Sequence, residues 1–155
     1  MTIAPEKLAQ YDEYVEALDL LDEESRFEYI IDIGKRADKT PFPAECMDDA
    51  HLMHGCMSKV WIVHDPNGDS HIFRGQSDAI IVKGLVSMMT GSFSGLTSEE
   101  LAEVTLDHVR GLNLGALTMQ RQAGMMAMFM RLSPHLSPSL LYLAALLSTL
   151  DTMEY

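Results

Sequence analysis

Residues 59–76 read KVWIVHDPNGDSHIFRGQ. Two runs rich in β-branched and aromatic side chains, 59–64 and 70–76, flank Asp65-Pro66-Asn67-Gly68-Asp69. Asn-Gly is a strong reversal signal, and Pro66 presets φ for a turn. The stretch predicts an antiparallel hairpin with a slightly long loop. Val60, Trp61, Ile62 and Ile72 are its expected core residues. Two strands are marginal alone, so this hairpin has to lie against helices, with a third short strand not placed by the pattern.

Working outward from the hairpin, every other periodic segment reads as helix. On the N-terminal side, residues 5–21 carry Leu8, Tyr11, Val15 and Leu18 at helical spacing behind Pro5. Residues 22–34 have Asp22 as cap, Phe27, Ile30 and Ile31 as apolar face, and Gly34 as the expected stop. The following residues 37–43 hold two prolines and read as an extended connection, with room for one helical turn in 44–54. On the C-terminal side, Ser77 or Asp78 is positioned to cap a helix over 79–90, followed by a Gly/Ser-rich loop at 91–95. Thr97-Ser-Glu-Glu100 has capping-box spacing and opens a short helix that ends before Gly111. A Met-rich helix is expected over 119–131 and an apolar one over 139–151. Strands in the middle and helices on either side predict an α+β fold: a small antiparallel sheet built on the central hairpin and packed against flanking helices.

The chain has 155 residues, enough for a domain with its own core. Its net charge of −12 argues against nucleic acid and anionic lipid, both of which select Lys and Arg. Two cysteines are too few for a disulfide scaffold. The first residues are interrupted by Glu6, Lys7, Gln10 and Asp12, unlike a secretory signal. The apolar run 140–150 is shorter than the ~20 residues a membrane helix needs. These features predict a cytoplasmic protein without a membrane anchor. The run 140–150 either closes the core or forms a homodimer contact.

Just before the hairpin, His51-Leu-Met-His54-Gly55-Cys56 delivers a thiol to the mouth of the first strand. Gly55 relaxes the backbone there. A cysteine in this position is read as nucleophile, ligand or inert filler. Cys46, His51, His54 and Cys56 together would satisfy tetrahedral zinc, although C-x4-H-x2-H-x-C is not a standard zinc spacing. A Cys46–Cys56 redox pair is weaker, since C-x9-C is no recognised redox motif. Lys83 suits an exposed helix face, and the many methionines suit plastic core filling.

Four blocks in order resemble the SufE-like sulfur acceptors, a family of cysteine desulfurase activators. Gly55-Cys56-Met57-Ser58-Lys59-Val60-Trp61 is similar to the family's Gly-Cys-Gln-Ser-x-Val-Trp. Gln76-Ser77-Asp78-Ala79-Ile80-Ile81-Val82-Lys83-Gly84-Leu85 is similar to its Ser-Asp-Ala block followed by Ile-Val-Lys-Gly-Leu. Leu117-Thr118-Met119-Gln120-Arg121 with Gly124 resembles Leu-x-Pro-Ser-Arg ending in Gly, and residues 27–34 resemble the first-helix block. Met57, His51 and Met119-Gln120 depart from the family pattern, and Cys46 has no counterpart in it.

The resemblance implies a compact α+β fold like that of the iron–sulfur scaffold proteins. It implies a protein that takes sulfane sulfur as a persulfide on Cys56 from a pyridoxal-phosphate-dependent cysteine desulfurase. It also implies stimulation of that enzyme and relay of sulfur to an iron–sulfur scaffold complex, with no cofactor of its own. Arg121 would then stabilise a thiolate or persulfide anion, or pair with Asp78 to brace the fold. Residues 1–135 are expected to form the sulfur-acceptor domain, and 136–155 a C-terminal apolar helical extension.

Overall fold

The computed structural model describes residues 3–52 and 58–112. A 3-10 turn at Pro5–Leu8 leads into α1 (Ala9–Leu20) and α2 (Glu23–Ala37). A second 3-10 turn, Ala44–Cys46, precedes the hairpin β1 (Val60–Asn67) and β2 (Ser70–Ser77). Then follow α3 (Ile80–Phe93), β3 (Leu96–Thr97), α4 (Ser98–Glu103) and α5 (Leu106–Gly111). The strands form an antiparallel sheet in the order β1-β2-β3, so the expected α+β class is what the molecule adopts. Among the described residues no helix is long and apolar enough to cross a membrane.

The hairpin is tighter than its sequence suggests. Pairing runs without interruption from Val60↔Ser77 to Asn67↔Ser70, leaving Gly68-Asp69 as a two-residue turn. Gly68 takes φ 63°, where a Cβ would be strained. Asp65, Pro66 and Asn67 therefore belong to β1 and not to the loop. Pro66 is tolerated because, among the described residues, no strand pairs with β1 on the side its nitrogen faces, so the missing N–H interrupts no ladder there. The third strand is Leu96–Thr97, paired with Ser70 and His71. Beyond it, Ser94 stands in for a strand residue: Phe73 N–H donates to its hydroxyl (2.9 Å), which donates back to Phe73 O (3.1 Å).

α3 is the central element, buried on most of its circumference by Leu85, Val86, Met88, Met89 and Phe93. One side packs on β2, where a Cβ on Gly75 would overlap Val86 Cγ1. Another side crosses α2 backbone to backbone. A Cβ on Gly34 would lie 2.9 Å from Gly84 N, and one on Gly84 would overlap Ile30 O. Gly34 is thus a packing residue inside α2 and not its terminus; the helix runs on to Ala37 and is capped at Asp38. Asp22 caps the other end as expected, accepting from Ser25 N–H at 2.8 Å, a bond that holds its carboxyl below the ordinary value.

Val60, Ile62 and Phe73 join the helices in one apolar cluster with Leu18, Ile30, Ile33 and Leu96. Ile72 points the other way and is half-buried; Phe73 takes the core place assigned to it. Trp61 and Val63, on the sheet's opposite face, are also buried, at 8% and 7% exposure. Thr97 and Glu100 form the expected capping box at α4. The helix it opens is two short ones, interrupted at Val104-Thr105. The helices expected over 119–131 and 139–151, and the extension 136–155, lie outside the described residues.

Candidate functional site

Cys56, His54, Gly55 and Met57 fall in the segment 53–57, and Arg121 in 113–155; all lie outside the described residues. What is described is how the chain enters and leaves that short segment. On the entering side, Leu52 forms an isolated antiparallel bridge with Trp61, and Ile62 N–H donates to His51 O at 3.1 Å. On the leaving side, Lys59 is held by the residues that follow β2. Its N–H donates to Asp78 Oδ1 (2.9 Å), and its C=O accepts from Ser77 Oγ (2.8 Å) and from Asp78 N–H (3.3 Å). Both ends of the cysteine-bearing segment are therefore fastened to the hairpin.

Asp78 does not cap a helix. α3 starts at Ile80 behind Ala79 with no side-chain cap. The carboxylate accepts from Lys59 N–H instead, the backbone donor just before β1, which lies outside the strand ladder. Ser77, 4% exposed, makes the companion contact: its hydroxyl donates to Lys59 O and accepts from Ala79 N–H at 3.2 Å. Sequence reasoning missed Ser77 as part of the site. The available signal is a Ser-Asp pair at the point where β2 ends opposite the start of β1. Two residues on, Ile80 is 53% exposed.

Cys46 is the other thiol. It is partly exposed on the 3-10 turn. Desolvation raises its pKa above the ordinary 9.0, and Glu45, Asp48 and Asp65 add to the rise, with Arg74 acting in the opposite sense. A thiol kept protonated is a poor nucleophile, because the thiolate is the attacking form. His51 is occupied locally: its backbone N–H donates to Asp48 Oδ1 (3.0 Å), and Nδ1 lies 2.6 Å from the same oxygen. That contact is the main reason the Asp48 carboxyl sits below its ordinary value. Of the four groups in the zinc alternative, then, Cys46 and His51 are described; His54 and Cys56 are not. Among the described residues no three His, Cys, Asp or Glu side chains gather as metal ligands. Lys83, expected to be solvated, has a side chain only 23% exposed and paired with Asp38 at 3.0 Å.

Comparison with known proteins bears on the same features. Residues 12–136 match the family described as SufE: Fe-S metabolism associated domain. An uncharacterized SufE-like protein of Rhizobium meliloti is 31% identical over 133 residues, covering 81% of this chain and 93% of that protein. One from Synechocystis is 33% identical over 109 residues, covering 70% of this chain and 67% of its own length. A third, from Rhizobium etli, is 33% identical over 100 residues, covering 61% of this chain and 66% of its own. With the family's domain extending over most of its length, from α1 past α5, this chain belongs to the SufE family of proteins associated with iron–sulfur metabolism.

Proposed function

We propose that this protein accepts sulfane sulfur as a persulfide on Cys56 from a pyridoxal-phosphate-dependent cysteine desulfurase. It stimulates that enzyme and relays the sulfur to an iron–sulfur scaffold complex. The working unit is residues 1–135, acting in the cytoplasm, with 136–155 as an extension. The observation that supports this reading above others is the fastening of both ends of the Gly55-Cys56 segment in a SufE-family chain.

The transfer is a thiol–disulfide-type exchange. The Cys56 thiolate attacks the terminal sulfur of the partner's persulfide. A new S–S bond forms to Cys56, the partner's S–S bond breaks, and the partner cysteine leaves as thiolate. No outside oxidant or reductant is needed. Asp78 and Ser77 are positioning residues: they hold Lys59, three residues beyond the thiol in sequence. Arg121 is assigned to anion stabilisation or to bracing the fold near Asp78.

The test is sulfur transfer from a desulfurase supplied with labelled cysteine, followed by mass spectrometry under non-reducing conditions. Wild-type protein and Cys46→Ser should carry the extra sulfur on Cys56, and Cys56→Ser should carry none. Label accumulating undiminished on Cys56→Ser would falsify the assignment.

A further inference from the structure

A cleft of about 340 Å³ lies between the C-terminal end of α2, β2 and one face of α3. That volume suits a small molecule and not a macromolecule. It is bordered by Phe42, Arg74, Gly75, Lys83 and Asp38.

The register of the hairpin determines what Gly75 presents. Ile62 N–H turns outward to His51 O, so the pair Ile62↔Gly75 does not exchange ladder hydrogen bonds. The N–H and C=O of Gly75 are accordingly directed away from β1, along the edge of β2 that β3 covers only at Ser70 and His71. Neighbouring groups on that edge are answered. His71 O accepts from Gly95 N–H (2.8 Å), Phe73 is matched at both atoms by Ser94 Oγ, and Ser77 N–H donates to Gln76 Oε1 (2.9 Å). Among the described residues, neither backbone atom of Gly75 takes a partner. A donor–acceptor pair without a partner among the described residues, set between answered neighbours, matches a single peptide unit, not a long added strand.

Two cations border the same cleft in a chain of net charge −12. Lys83 Nζ lies 3.2 and 3.0 Å from the two oxygens of Asp38. Arg74 Nη2 donates to Pro41 O at 2.6 Å, one of five donors on a planar fork suited to a carboxylate. Two cations against one carboxylate leave the cleft's border positive while the molecule as a whole is acidic.

We propose that this cleft is a binding site for a small peptide-like carboxylate: an acylated amino acid or very short peptide. Its amide pairs with the N–H and C=O of Gly75, and its carboxylate meets Lys83 and Arg74. The proposal does not rest on the sulfur-transfer reading.

N-acetylglycine carries one amide and one carboxylate and is the probe. Titrated into the full-length protein at concentrations up to the order of 10 mM, it should give saturable shifts of the Gly75 and Lys83 amide resonances. N-acetylglycinamide, without the carboxylate, and acetate, without the amide, should each bind about tenfold more weakly or worse. Lys83→Met should weaken N-acetylglycine by a similar factor. Arg74→Gln gives a second reading should the first variant lose its dispersed spectrum, and Lys35→Met should leave binding unchanged. Absence of saturable shifts at Gly75 in the wild-type protein, equal binding of the amide analogue, or indifference to both cation variants would overturn the proposal.

Discussion

Asp78 illustrates how a residue's partner depends on what lies across from it. Near the start of a helix an aspartate ordinarily caps that helix. Here the backbone N–H of Lys59, just before the neighbouring strand, competes for it and is the group it accepts from. Asp78→Ala removes this acceptor and leaves that end of the cysteine-bearing segment held only through Lys59 O. We expect slower persulfide formation on Cys56 with a stability loss of about 1 kcal/mol. Asp78→Asn keeps an acceptor oxygen and should recover most of the rate. Equal rates for Ala and Asn variants in single-turnover sulfur transfer would refute the positioning role. Cys46 shows the same dependence in the chemistry of a thiol. Its surroundings hold it protonated, whereas spacing alone left it a candidate ligand or redox partner.

At the scale of elements, glycine is where sequence and structure part most clearly. Gly34 and Gly91 look like stops because glycine is common beyond helix ends. Both lie inside helices. Gly34 is there because α2 and α3 cross at Gly34 and Gly84 with no space for a Cβ. Gly84→Ala would drive a methyl into Ile30 O, and overpacking of this kind typically costs about 1–3 kcal/mol. Chemical denaturation should show a lower midpoint with an unchanged slope. The hairpin, by contrast, was legible in its strands but not in its turn. Periodicity identifies strands, while the choice between Asn67-Gly68 and Gly68-Asp69 at the turn depends on register, which is set by which face is buried.

For the whole molecule, Glu100 ties distant parts of the chain together. It is 7% exposed, bonds Lys7 Nζ at 2.7 Å and accepts from Thr97 N–H at 2.9 Å, joining the N-terminal 3-10 turn to α4. The Lys7 contact first, and then Thr97 N–H, hold its pKa below the ordinary 4.5. A depressed carboxylate contributes stability above its unfolded pKa and loses it as pH falls through the folded one. His64 acts earlier on acidification. Its ring lies 2.6 Å from His71 Nδ1, whose other nitrogen is 2.7 Å from Ser98 Oγ. Burial first, then His71, push its pKa below 6.5, and Asp65 opposes them. A depressed histidine favours the neutral form in the fold, so stability falls as pH drops through and below 6.5. Urea midpoints measured across pH should therefore decline in two stages. His64→Gln should flatten the upper stage and Glu100→Gln the one below pH 4.5. An unchanged profile in either variant would rule out that group as its source.

The sequence by itself determined the α+β class, the hairpin strands, the caps at Asp22 and Thr97, and the family blocks around Cys56. These are local: each depends on residues within one turn, one strand or one short motif, where the backbone's own donors and acceptors select the side chain. Only the tertiary structure decided where α2 and α3 end, why Gly34, Gly75 and Gly84 lack side chains, and which backbone group Asp78 answers. It alone decided that the edge of β2 beyond its pairing with β3 borders a cleft lined by Arg74 and Lys83. The reason is physical. Close approach between elements and the direction of an unpaired N–H are set by residues tens of positions apart, and no local period encodes that distance.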